Sequence, residues 1–144
     1  MASITSANAI IMLSVTGVFN APVQMQQFAA DDIFGNDSIP GSEIAMGVDG
    51  HMTAGFVFAP IPWSIHLMGD ATPSTDLFDG WYLANRKAID VFYANATVLM
   101  PSLSKKYTLT RGSLTNYKVM PDAGKTLRTR TYTIMWQSIA PANL

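Results

Sequence analysis

The triplet Gly124-Lys125-Thr126 resembles the end of a phosphate-binding loop and is the first candidate for chemistry. Such a loop needs a glycine five positions earlier, where this chain has Val119. It also needs a helix directly afterwards, so that backbone amides meet the phosphates. Instead, the residues after the triplet alternate as in a β-strand. The four residues that end at Gly124, Pro-Asp-Ala-Gly, are typical of turns, in which the glycine is free to adopt a positive φ. We therefore predict a turn between two strands.

Two histidines and one pair of adjacent acids are the other candidates for metal or acid–base chemistry. His51 and His66 have no carboxylates at a spacing typical of metal ligands, which favours surface histidines. Asp31 and Asp32 are adjacent, so on an extended chain they point to opposite faces and do not share one ion or proton. The chain has no cysteine and no Gly-x-Ser-x-Gly motif. We expect no catalytic site, metal or cofactor, and therefore a protein that is not an enzyme.

Composition indicates one domain over residues 1–144 whose surface is partly buried by partners. Hydrophobic residues make up 49% of the 144 residues and charged residues only 13%, about half the usual charged share. The apolar run that starts at Ala7 is not preceded by a basic residue and is interrupted by polar residues. We therefore expect neither a secretion signal nor a membrane span.

The two halves of the chain carry opposite charges. Residues 1–85 contain eight Asp or Glu residues and no Lys or Arg, whereas residues 86–144 contain nine Lys or Arg residues and two Asp residues. This asymmetry has two interpretations: ion pairing within one subunit, or contact of the acidic surface of one subunit with the basic surface of a neighbour, head to tail.

Alternation of apolar and polar residues dominates the chain and predicts strands. The three longest predicted strands are Ala7–Phe19, Tyr107–Tyr117 and Leu127–Ser138. A hairpin is expected at Asp49-Gly50, and one more strand lies within Ala88–Met100, bent near Ala94-Asn95. Residues 20–42 are rich in turn signals and are expected to be irregular.

Helical periodicity appears once, in the stretch that begins at Pro73 and ends near Ile89. Proline is favoured at the first helical position, and acids near the start and bases near the end complement the helix dipole. Gly80 in its middle costs about 1 kcal/mol relative to Ala, so docking of the Trp81 face on a sheet must offset it. The sequence thus predicts a mainly β fold, an antiparallel β-sandwich or barrel with one flanking α-helix.

Four segments, in order, cover nearly the whole chain: ITSANAIIMLSVTGVFNAPVQMQQFAADDIF, MGVDGHMTAGFVFAPIPWSIHL, PSTDLFDGWYLANRKA and LMPSLSKKYTLTRGSLTNYKVMPDAGKTLRTRTYTIMW. Together they resemble the tail tube proteins of tailed bacteriophages, particularly those with contractile tails. The resemblance implies a sandwich or barrel with a flanking helix, whose subunits form hexameric rings that stack head to tail into a hollow tube. The implied partners are further copies of the chain and the tail sheath, baseplate and tail-terminator proteins. Phage DNA would pass through the lumen without specific binding, in a virion assembled in the host bacterial cytoplasm.

Charge and spacing supply candidate contact residues for such a tube. They are the acids Asp31, Asp32 and Asp37 and the bases Lys105, Lys106, Arg128 and Arg130. We expect the acids of one subunit to meet the bases of a neighbour. An acidic lumen is a further hypothesis, since acids repel DNA phosphates and let the genome slide.

Two alternatives remain open. One is a related ring-forming tail component, such as a tube terminator, a baseplate protein or a secretion-system tube homologue, which forms a ring without polymerising. The other is a monomeric β-barrel module for single-stranded nucleic acid or a small ligand, because Tyr107, Tyr117 and Tyr132 lie near basic residues and could stack on bases. A salt-sensitive affinity for oligonucleotides distinguishes the second alternative.

Overall fold

The structure, a computed structural model, describes residues 9–25, 34–69 and 73–144. In chain order the elements are β1 (Ile10–Val15), β2 (Phe19–Gln24), β3 (Phe34–Asn36), β4 (Ser42–Met46), β5 (Met52–Phe56), β6 (Ile61–Leu67), α1 (Pro73–Ala88), β7 (Ala94–Met100), a short 3-10 helix (Pro101–Leu103), β8 (Lys105–Tyr117) and β9 (Arg130–Asn143). The predicted mainly β fold with a flanking helix is therefore confirmed.

Seven strands form one antiparallel sheet in the order β2-β1-β7-β8-β9-β6-β3. The longest pair is β8–β9, whose register joins Lys105 to Asn143 at one end and Tyr117 to Tyr132 at the other. Within the described residues β2 and β3 are the edges, so the sheet is open and does not close into a barrel. Strands β4 and β5 pair only with each other and form a separate hairpin.

The first predicted strand, Ala7–Phe19, is shorter than expected. Alternate burial holds through β1, but the chain then turns and β2 returns antiparallel to it. Gly17 has a φ of 87° and donates its backbone N–H to Asn20 Oδ1 at 2.9 Å. The prediction was wrong here because the glycine, which permits this turn, lies between apolar residues that continue the strand pattern. Residues 7 and 8 lie outside the described residues.

The other two long strands are confirmed with shifted ends, because β8 contains all of Tyr107–Tyr117 and β9 starts at Arg130 rather than Leu127. Residues 118–129, termed the β8–β9 connection, contain the tight turn that was predicted at Gly124. The Gly124 N–H donates to the Thr126 carbonyl oxygen at 3.0 Å, and no helix follows. Gly124 does not use the positive φ that is open to it, since among the described glycines only Gly17 and Gly50 have one.

The stretch 20–42 is more regular than predicted, since most of β2, all of β3 and the first residue of β4 fall within it. Pro22 lies inside β2, where it disrupts little because β2 is an edge strand with one unpaired side. The predicted hairpin at Asp49-Gly50 is confirmed, with Gly50 at a φ of 88° between β4 and β5. Residues 26–33, which include Asp31 and Asp32, lie outside the described residues.

The predicted bend near Ala94-Asn95 is confirmed as an irregularity between β7 and β8. Arg111, opposite this point, adopts a left-handed φ of 52°, and its backbone N–H donates to Asn95 Oδ1 at 3.2 Å. The extra residue lets Leu109 and Gly112 both face the core, although a regular strand would point them to opposite faces.

Helix α1 covers one face of the sheet. Its Phe78 ring stacks on Tyr132 of β9, with ring centroids 4.1 Å apart and an interplanar angle of 9°. Trp81 is fully buried and donates its indole N–H to the Phe92 carbonyl oxygen at 2.8 Å. Gly80 is explained by close packing, because a β-carbon there would lie 2.8 Å from the Phe19 ring. The docking that the sequence required of the Trp81 face is thus present.

The close packing at Gly112 yields a stability prediction. A β-carbon at Gly112 would lie 2.5 Å from the Trp136 ring and 2.7 Å from the Ile134 side chain. We expect Gly112→Ala to lower the free energy of unfolding by about 1–3 kcal/mol, because two core side chains must move. Urea unfolding of the purified protein measures this. The strand glycine Gly35 has open space around it, so Gly35→Ala is the control, and an equal effect of the two substitutions would contradict the packing.

Candidate functional site

The sheet face opposite α1 is mostly polar and is termed here the hydroxyl face. Its side chains alternate with core residues along five strands, and none of those described is buried. They are Met12, Ser14, Pro62, Ser64, His66, Asn95, Thr97, Leu99, Lys106, Thr108, Thr110, Ser113, Thr131, Thr133, Met135 and Ser138. In this set Lys106 is the one permanently charged side chain, and no member is a carboxylate. The hypothesis of an acidic lumen therefore does not describe this face.

Rows of hydroxyl groups run across the strands of this face. The Ser64 and Thr133 hydroxyl oxygens are 3.1 Å apart, and His66 Nδ1 lies 2.9 Å from the Thr131 hydroxyl oxygen. Thr115 donates its hydroxyl hydrogen to the Thr133 carbonyl oxygen at 3.2 Å. Such cross-strand pairs stabilise a sheet and fix the orientation of the side chains. The face offers ordered, neutral hydrogen-bonding groups and very little fixed charge.

Of the three acids predicted as contact residues, only Asp37 belongs to the described part of the chain. Asp31 and Asp32 belong to the undescribed residues 26–33. Asp37 is exposed just after β3, and its backbone N–H lies 3.4 Å from the Pro62 carbonyl oxygen. It borders a shallow cavity of about 260 Å³ at the β6 end of the face, together with Ser64. Asp37 is therefore available to a neighbouring molecule.

The predicted bases occupy two distant places. Lys105 and Lys106 begin β8, where the Lys105 ammonium donates to Asn143 Oδ1 at 3.0 Å and Lys106 is exposed. Arg128 is exposed in the β8–β9 connection, at the opposite end of the β8–β9 pair. The bases do not form one patch.

Arg130, the fourth predicted base, is an internal contact and is only 4% exposed. Its Nη2 nitrogen lies 2.9 Å from Asp79 Oδ1 on α1 and donates to the carbonyl oxygens of Lys118 and Val119 at 2.9 and 3.1 Å. One guanidinium thus ties β9 to the helix and to the β8–β9 connection. Its side chain is used within the subunit, which corrects the expectation that it meets a neighbour.

Tyr132 lies beside this guanidinium in the core. Burial raises the pKa of its hydroxyl well above the ordinary value, an effect that Arg130 opposes and Asp79 reinforces. Among the described residues, nothing accepts or donates a hydrogen bond at the Tyr132 hydroxyl. The ring serves packing, through its stack on Phe78 and the Arg130 guanidinium 5.3 Å from its centroid.

The described parts of the chain hold no group of three His, Asp or Glu side chains that could bind a metal ion. In the same residues, no helix is both long enough and apolar enough to span a bilayer.

Removal of the buried guanidinium should destabilise the subunit. We expect Arg130→Met to lower the free energy of unfolding by about 1–3 kcal/mol, since Asp79 and two backbone carbonyls lose their donor. The half-exposed Asp79 can turn to water, which limits the loss. Arg128→Met, two residues earlier and exposed, should change stability by less than about 0.5 kcal/mol. Urea unfolding of both variants compares them, and equal losses would rule out the internal role of Arg130.

Tyr132 predicts a specific pH dependence. Its pKa is about 10 in the unfolded chain and higher when folded, so the stability that its neutral form contributes is present below pH 10 and is lost as the pH rises. Between pH 10 and pH 11, we expect the free energy of unfolding of Tyr132→Phe to fall by about 1 kcal/mol less than that of the parent protein. Urea unfolding at pH 8, 10 and 11 measures the difference. Parallel pH profiles for the two proteins would show that Tyr132 is not responsible.

Chains from known contractile assemblies share this fold. A chain of the anti-feeding prophage baseplate aligns with a TM-score of 0.63 and 13% identity, covering 99% of this chain and 97% of that one. A chain in the structure of the anti-feeding prophage tube terminating cap aligns at 0.64 and 8%, covering 100% and 93%. A chain of the extended sheath-tube complex of the extracellular contractile injection system PVC aligns at 0.63 and 13%, covering 99% and 93%. At these identities the likeness establishes the fold alone.

The family comparison reaches almost from end to end of the chain. The family model described as tail fiber protein gp32 matches residues 2–140, and no curated protein gives a significant match. The matched range includes the helix, the first eight strands and most of β9. The protein is therefore of the phage-tail type, and the chain belongs to the tail fiber protein gp32 family.

Proposed function

We propose that this protein is a structural subunit of a tail tube, in which copies form hexameric rings that stack head to tail into a hollow tube for genome passage. The observation that carries the proposal is the hydroxyl face, a broad sheet surface of ordered hydroxyl groups with one permanent charge. The shared fold with chains from tube-containing assemblies supports it. The role is structural and involves no catalytic step.

The chemistry of the hydroxyl face suits the lining of a channel for DNA. Clusters of basic residues hold phosphates through counterion release, and the strength of that binding rises with each contact. Lys106 is the one permanently charged side chain in the set that defines the face, so a passing polyanion finds little to retain it. The neutral hydroxyl groups exchange hydrogen bonds readily between DNA and water. The proposed lumen is therefore neutral rather than acidic.

The open edges of the sheet favour assembly into a ring. Exposed strand edges must be covered, charged or paired, and ring formation covers them. On one side, β6 pairs with β9 only as far as Trp136, so among the described residues the last part of β9 is paired with β8 alone. The family description names a tail fiber, but the sheet and docked helix are the architecture of chains in tube-bearing assemblies, which favours a tube. The number of six subunits rests on the resemblance of the sequence to tail tube proteins.

A ring that does not polymerise is the second candidate. It is favoured by the same fold in chains from a baseplate and from a tube terminating cap. The single-stranded nucleic acid module is disfavoured, because Tyr132, one of its three candidate stacking residues, is buried beneath α1, and the Tyr117 ring already packs on Tyr82 with centroids 4.9 Å apart. In either role, as a tube subunit or as a ring, the protein would have the tail sheath, baseplate and terminator proteins as partners.

Electron microscopy of the purified protein at several concentrations, with light scattering alongside, tests the proposal. We expect hollow tubes that lengthen with concentration, because ring stacking is an open assembly. Rings that never elongate would favour a terminator or baseplate role. A monomer at every concentration would contradict both candidates, and oligonucleotide binding would then be measured.

A labelling experiment tests which face lines the lumen. The chain has no cysteine, so Thr108→Cys on the hydroxyl face provides a single reactive group. We expect a bulky polymer-linked maleimide to label it in dissociated subunits and to fail in assembled tubes. Leu83→Cys on the exposed side of α1 is the matched control and should react in both states. Equal labelling of Thr108→Cys in both states would place the hydroxyl face outside the lumen.

A further inference from the structure

The β4–β5 hairpin has an apolar face that its own subunit leaves exposed. Residues opposite each other in an antiparallel pair share a face, and the register pairs Ile44 with Ala54, Met46 with Met52, and Ser42 with Phe56. Ile44 is 61% exposed, Met46 66% and Phe56 73%. The other face is small or polar, with Glu43 opposite a glycine and an alanine opposite a threonine. The hairpin is therefore amphipathic with its apolar side in solvent.

Such a hairpin needs a covering surface. A two-stranded hairpin is marginally stable alone, and all ten strand residues of this one are exposed. The tip residue Val48 is fully exposed, and the exposed Phe58 ring meets Phe56 edge-on at 4.7 Å, which extends the apolar surface beyond β5. Contiguous exposed apolar surface of this kind marks a site of protein contact.

The hairpin leaves the sheet at one end of the strand axis. It connects β3 to β6, and β6 begins at Ile61 opposite Trp136 and ends at Leu67 opposite Arg130. The β8–β9 connection joins Tyr117 to Arg130 and so lies at the other end. The two elements are at opposite ends of the same subunit.

The β8–β9 connection is both apolar and basic at its surface. Val119, Met120 and Leu127 are exposed, and so are the cations Lys125 and Arg128. The ammonium of Lys118 is neutralised by Asp122, 2.7 Å away. The connection has a defined shape, because Arg130 binds two of its carbonyl oxygens and a β-bridge joins residues 123 and 127.

We propose that the apolar face of the hairpin of one copy docks on the β8–β9 connection of the next copy in the stack. In the turn of the hairpin, the exposed Asp49 follows Val48 and the hairpin has no Lys or Arg, whereas the connection offers Lys125 and Arg128, so charge and apolar surface both match. Because the two surfaces are unlike and lie at opposite ends, the contact repeats head to tail without closing. The inference rests on the proposed tube and names the contact that joins its rings.

A cross-linking experiment with Val48→Cys and Met120→Cys in one chain tests this contact. Both side chains are exposed, so neither change should affect folding, and the chain has no other cysteine. We expect a short bis-maleimide to convert most of the monomer band of assembled protein into a ladder of covalent multimers. Each single variant should lose the ladder, because one chain then supplies only one half of the contact.

Val48→Cys combined with Leu83→Cys is the matched control and should give no ladder, since Leu83 lies on the helix. Tubes that assemble without a ladder in the test variant, or with an equal ladder in the control, would overturn the inference and leave the tube proposal standing. Covalent dimers from Val48→Cys alone would also overturn it, because they show hairpins in contact with each other. A parent protein that forms neither rings nor tubes would refute the proposed function itself.

Discussion

The docking of α1 on one face of the sheet is the interaction on which the rest of the structure depends. Its centre is the stack of Phe78 on Tyr132, and the Arg130 guanidinium beside it binds the helix and the β8–β9 connection at once. A buried cation is tolerated here because a carboxylate and two carbonyl oxygens replace its water. The same contacts that make one face dry also hold the connection in place at the end of the sheet.

With one face covered, every other surface of the sheet is left for contacts outside the subunit. The opposite face keeps its hydroxyl groups in water, which an antiparallel sheet permits without loss of stability. Within the described chain, the outer sides of the edge strands are unpaired and the β4–β5 hairpin is uncovered. The core of such a fold is fully buried, whereas its strand edges and its hairpin stay exposed. These exposed surfaces suit a subunit of a larger assembly.

Strand periodicity made the core predictable, since burial in β1 and β9 follows the alternation of the sequence. The burial of Arg130 was readable too, because it shares that alternation with Tyr132 and Trp136; its charge led to the opposite expectation. The turn at Gly17 was missed because Val15 and Phe19, two positions away on either side, continue the strand alternation. Nothing local reveals that the hairpin stays uncovered, since an apolar strand face looks the same in a sequence whether it packs on its own subunit or on another.

The topology determines where the opposite charges of the two halves of the sequence lie in the fold. Pairing within the subunit accounts for one described ion pair between the two halves, that of Arg130 with Asp79. Glu43 and Asp49 stay exposed at the hairpin end of the strands, and Lys125 and Arg128 at the other end. Lys105 and Lys106 begin β8 at the same end of the strands as the hairpin, so the charge difference belongs to the hairpin and the connection and not to the two whole ends. In the proposed tube, the acidic hairpin of one ring meets the basic connection of the next, and each added ring presents the same pair of unlike elements again.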